Sequence, residues 1–174
     1  LMLGANPIAS NGSLWTVPDV RKRLKQLKQR GGKLIVIDPR RTETAERADL
    51  HIPVEPDGDV ALFDALLAAQ DVDHTKVAET CEVPEDFWEN RSAKHGIAPQ
   101  LFATLAIMVA KSERMITLFS QGANQSRCGT DKGNAIINLH LATGHINRRG
   151  AGPFSITGQP NAMGGREVGG LANM

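Results

Sequence analysis

Residues 33–62 read KLIVIDPRRTETAERADLHIPVEPDGDVAL. Leu34 to Ile37 is a short, wholly apolar run rich in β-branched residues, the pattern of a parallel strand buried on both faces. It stops abruptly at Asp38, Pro39, Arg40 and Arg41. Ile52 to Val54 is expected to form a further strand. The Pro-Asp-Gly-Asp turn after it is expected to open a helix that Asp59 caps and that carries Val60, Leu62, Phe63, Leu66 and Leu67.

Upstream, Leu1 to Leu3 reads as the end of another buried strand, followed by the loop GANPIASNG. Thr16 can cap a helix with Pro18 in its first turn, and Val17, Val20, Leu24 and Leu27 then mark one helical face. The opposite face carries Arg21, Lys22, Arg23, Lys25, Lys28 and Arg30, a basic run that could grip phosphate or RNA but is the ordinary pattern of a solvated surface, and Gly31-Gly32 ends the helix. Strand, helix and strand in this order make a βαβ unit. Downstream, Pro99 starts an apolar helix, Met115 to Phe119 reads as a strand and Ser120 to Thr130 as a polar loop. Asp131 opens a helix with Ile136, Ile137, Leu139 and Leu141 that ends at Gly144. Residues 70–97 are weakly periodic, and Gly150 to Gly170 shows no periodicity, the signature of a long irregular C-terminal loop. The alternation predicts an α/β fold: a Rossmann-like, doubly wound, mainly parallel sheet with helices on both faces.

Composition narrows the function classes. A chain of 174 residues with a net charge of +1, 4% aromatics and no tyrosine has neither the field nor the stacking platforms of a nucleic-acid binder. No apolar run reaches the roughly 18 residues of a membrane span. The cysteines, Cys81 and Cys128, lie far apart, and the five histidines show no ligand spacing, so no metal site is expected within the chain.

Ligands of open parallel sheets bind beyond the carboxyl ends of the strands. The loops Gly4–Asn11, Asp38–Thr42, Pro56–Asp59 and Gln121–Thr130 all follow strand ends and can converge there. The first lacks the G-x-G-x-x-G of nicotinamide enzymes, though Gly4 allows close backbone approach and Asn6 can both donate and accept. Asp38 falls where dinucleotide-binding folds place an acceptor for ribose hydroxyls. Asp57 and Asp59 read either as a turn and a helix cap or as carboxylates for the N1–H and 2-amino group of guanine. Gln121, Asn124 and Gln125 supply neutral amides suited to a heterocycle such as a pterin.

The succession GANP, IVIDPRRTETAERADLHIPVEPDGDVAL, QGANQS with TDKGNAIINLHLATGHI, and GPFSITGQPNAMGGREVGG resembles the molybdopterin oxidoreductases. TGQPNAMGGREVGG is similar to the bacterial assimilatory nitrate reductases within that family. The resemblance implies that residues 1–174 are the central cofactor-binding part of a larger catalytic subunit carrying molybdenum on bis(molybdopterin guanine dinucleotide). It places Gly4, Ala5, Asn6 and Pro7 against one cofactor, and Asp38, Pro39, Arg40, Arg41, Thr42, Asp57, Gly58 and Asp59 at its guanosine end. It puts Gln121 and Gln125 nearer the pterin and metal, brings Thr157, Gly158 and Gln159 toward the same pocket, and offers Arg127 and Arg166 as cations for nitrate. A [4Fe–4S] cluster and the molybdenum ligand are expected outside these residues, so the isolated chain is expected to be inactive. An electron-donor protein and a cytoplasmic location are also implied. The alternatives are another substrate within the family, formate or a different oxyanion, and a nucleotide-binding module without redox chemistry.

Overall fold

The computed structural model describes residues 1–10, 17–70 and 96–156. Strands β1 (Met2–Leu3), β2 (Ile35–Ile37), β3 (Leu50–Ile52), β4 (Ile116–Phe119) and β5 (Gly152–Ser155) form one sheet in the spatial order β3-β2-β1-β4-β5. Every neighbouring pair is parallel. The helices are α1 (Val20–Gln29), α2 (Asp59–Ala69), α3 (Pro99–Ala110), α4 (Gln121–Asn124) and α5 (Gly129–Ala142), with a 3₁₀ turn at Ala45–Arg47. The chain winds outward from β1 to β3, then crosses to β4 and β5 on the other side, so the β1/β4 border is the topological switch point.

Side chains alternate across each strand, and this gives the sheet two cores. Leu3, Ile35 and Ile37 pack with Leu62, Phe63 and Leu66 of α2, Phe102 and Leu105 of α3, and Ile136 and Leu139 of α5. Met2 and Val36 point the other way, onto Val20 and Leu24 of α1. The run at 35–37 is therefore apolar throughout because both of its faces are covered, as the sequence predicts. The basic face of α1 is solvated at Arg21, Lys22, Arg23 and Lys25, and Lys28 forms a 3.3 Å ion pair with Asp49.

Several boundaries differ from expectation. Asp19 caps α1, its carboxylate accepting from the Lys22 N–H at 3.1 Å, so Pro18 precedes the helix; Thr16 lies outside the described residues. The third strand is Leu50–Ile52 and not Ile52–Val54, because Pro53 has no N–H to give a ladder and ends the pairing. Part of the stretch 150–170 is regular: Gly152–Ser155 pairs with β4 as an edge strand, where Pro153 is tolerated and Phe154 stays exposed. The segment 120–130 is not one loop, since it holds α4 and the start of α5. On α5 the inward stripe is Lys132, Ala135, Ile136, Leu139 and His140; Ile137 and Leu141 are exposed. Among the described residues no helix is long and apolar enough to cross a membrane.

Candidate functional site

The loops at the carboxyl ends of β1, β2, β3 and β4 enclose one cleft of about 400 Å³ at the switch point, floored by Leu3, Ile37 and Val54. That volume lies within the ordinary range of ligand sites. Two loops meet there backbone to backbone. Gly4, at φ 54°, accepts from the Gly122 N–H at 3.1 Å, and a Cβ on either glycine would come within 2.7 Å of the other's Cα. Gly4 and Gly122 thus hold the two loops in direct backbone contact at the crevice.

Asn6 lines the cleft but is already engaged. Its amide donates to Glu43 Oε2 at 2.7 Å, and its carbonyl oxygen accepts from the Thr44 hydroxyl at 2.7 Å. The Asn6 hydrogen bond is the main cause holding Glu43 below the usual carboxylate range. Ala5 also lines the wall, whereas Pro7 is buried beneath the loop. In the second loop Asp38, Pro39 and Arg40 face the cleft. Asp38 Oδ1 accepts from the Arg40 N–H at 2.9 Å, and its backbone carbonyl meets His51 Nε2 at 2.9 Å, so the turn is fixed from both sides. Arg41 is exposed and off the wall, and Thr42 is buried, its hydroxyl accepting from the Ala45 N–H at 3.2 Å. Those two residues shape the loop rather than the cleft surface.

The third loop departs furthest from the sequence reading. Gly58, not Asp59, occupies the N-cap position of α2, and Asp59 is the first helical residue. Its carboxylate reaches Lys132 instead: Lys132 Nζ lies 2.6 Å from Asp59 Oδ2 and 3.2 Å from Asp57 Oδ1. Lys132 is only 2% exposed. Burial alone would push its ammonium down, yet the hydrogen bond and charge of Asp59, then Asp57, hold it above the ordinary lysine value. Asp57 sits at φ 65°, a left-handed conformation that aspartate tolerates. Its carboxyl is held below the usual range by the Lys132 hydrogen bond first and then by the Cys128 thiol, which donates to Oδ1 at 3.5 Å.

Gln121 and Gln125 do not line this cleft; Gly122 and Ser126 of the same segment do. Arg127 is exposed on the rim, near enough to favour the charge on Asp57. Thr157, Gly158, Gln159 and Arg166 lie outside the described residues. No cluster of three or more metal-ligating side chains occurs among the described residues. The wall combines the carboxylates of Asp38, Glu55, Asp57 and Asp59 with the cations of Arg40 and Lys132. It is a surface of hydrogen-bond acceptors, suited to a ligand end rich in N–H and O–H donors.

Comparison with known proteins matches the molybdopterin oxidoreductase family across residues 1–173. The chain belongs to that family. The chain is 40% identical over 190 residues to a nitrate reductase of Klebsiella oxytoca, covering 96% of this chain and 20% of the relative. It is 30% identical over 176 residues to the F420-dependent formate dehydrogenase 1 subunit alpha of Methanococcus maripaludis, covering 90% of this chain and 25% of the relative. The chain therefore spans a fifth to a quarter of the length of these relatives. Among solved structures, acetylene hydratase from Pelobacter acetylenicus shares the fold with a TM-score of 0.63 at 23% identity, over 86% of this chain and 22% of that one.

Proposed function

We propose that this chain is the segment of a molybdenum-dependent nitrate reductase that holds the guanosine end of bis(molybdopterin guanine dinucleotide). The observation that carries the reading is the acceptor wall at the switch point. Asp57 and Asp59 stand side by side under one buried lysine, and Asp38 ends the neighbouring strand. Guanine presents N1–H and an adjacent amino group, and ribose presents hydroxyls; each donor finds an acceptor of matching type there. Family membership and 40% identity to a nitrate reductase support the larger assignment. When bound, the molybdenum–dithiolene group supplies two-electron oxygen-atom transfer, reducing nitrate to nitrite.

This chain's own residues bind and orient. Asp38 is the acceptor for ribose, the pair Asp57/Asp59 for the base, and Arg40 the cation available to a phosphate. Arg127 and Arg166 remain the cations proposed for nitrate. The [4Fe–4S] cluster, the molybdenum ligand, the remainder of the subunit and an electron-donor protein complete the enzyme in the cytoplasm.

The test is metal and nucleotide analysis of the full-length protein, with assays on nitrate and on formate using a viologen dye. Molybdenum, acid-releasable GMP and nitrite production are expected. Turnover of formate alone would reassign the substrate. Well-folded protein with neither molybdenum nor GMP would leave a nucleotide-binding module without redox chemistry.

A further inference from the structure

Lys132 reaches the cleft from the inward stripe of α5, and the two carboxylates it meets come from the loop before α2 and from its first residue. It ties one oxygen of each: Oδ2 of Asp59 and Oδ1 of Asp57. The Cys128 thiol adds a second donor to that same Asp57 oxygen. The remaining oxygens, Oδ1 of Asp59 and Oδ2 of Asp57, carry no hydrogen bond among the described residues. Left alone, a carboxylate turns easily about its terminal torsion. Two aspartates that share one ammonium also repel each other once it is removed.

We propose that Lys132 is a positioning and specificity-determining residue of the nucleotide site. By holding one oxygen of each aspartate and balancing their charge, it keeps the other two as fixed acceptors. Such a pair matches an edge with two adjacent N–H donors and selects guanine over hypoxanthine, which keeps N1–H but lacks the 2-amino group. Lys132 acts through the aspartates. The proposal rests on the guanosine reading above.

The experiment uses full-length protein prepared in cells unable to make the pterin, titrated calorimetrically with GMP and with IMP. The native protein is expected to prefer GMP by ~10-fold or more, the usual consequence of leaving one acceptor unpaired. Lys132→Met is expected to reduce that preference to about threefold or less. If Lys132→Met does not fold, Lys132→Gln, which removes the balancing charge and is one atom too short to hold both carboxylates, is read against the same expectation. A purely structural lysine would weaken both nucleotides equally and leave their ratio unchanged; an unchanged ratio in the variant overturns the proposal. Native protein that binds neither nucleotide overturns the guanosine reading itself, and is told apart by needing no variant.

Discussion

Gly4 and Gly122 leave no room for a methyl group, since a Cβ on Gly122 would press on the Gly4 backbone at 2.7 Å. The neighbour is main chain and cannot swing aside. Gly122→Ala is therefore expected to cost ~1–3 kcal/mol and to part the two loops, measured by urea unfolding. Asp59→Ala removes the nearest carboxylate of the buried Lys132 ammonium and leaves it the half-exposed Asp57, so it is expected to cost ~1–3 kcal/mol, read as a lower urea midpoint. A mere surface acid would show almost no effect. Asp38, Asp57, Asp59 and Gly4 were legible in the sequence because they punctuate strand ends, where residue type speaks directly of turns and acceptors. Asn6 was legible as a polar contact, but its partners Glu43 and Thr44 belong to the next loop and only the fold brings them together. Lys132 was missed because a lysine in a helix ordinarily reads as solvated. The stripe Ala135, Ile136 and Leu139, extended back one turn, lands on position 132 and was the available signal.

The same stripe of α5 ends in His140, which is fully buried and meets the Thr117 hydroxyl of β4 at 2.7 Å. Its Nδ1 has no hydrogen-bond partner among the described residues. Burial, and secondarily the nearby His145, push its pKa down to about 4 from the ordinary 6.5. Unfolded His140 gains a proton as pH falls below 6.5, while the folded residue resists until about 4. Stability is thus untouched by this group above 6.5 and falls as pH drops from 6.5 to about 4, by about 3 kcal/mol. Urea titrations at stepped pH should show the loss, and His140→Gln should flatten it. Elements are legible in the sequence where burial is two-sided or strongly one-sided, as in β2, α2 and α3. They are poorly legible at the edges. β5 carries a glycine, a proline and an exposed phenylalanine, so no alternation betrays it. The apolar set Ile136, Ile137, Leu139 and Leu141 marks α5 without revealing its inner face, because Ile137 and Leu141 are as apolar as the residues that are buried.

At the scale of the molecule, the doubly wound order follows from alternating strand and helix signals, whereas the switch point follows only from the spatial order β3-β2-β1-β4-β5. That order puts the acidic loops around one crevice, and ligand binding there should stabilise the whole sheet. For the cofactor-free full-length protein, GMP at ~100 times its dissociation constant is expected to add ~2.7 kcal/mol of stability, seen as a rise in Tm, with CMP giving no rise. The central strand also sets a timetable. Met2 of β1 pairs with Leu118 of β4, a partner that leaves the ribosome 116 residues later. At ~5–20 residues per second, β1 waits on the order of 6–23 s with one edge unsatisfied. During synthesis the nascent sheet is an open template for other chains.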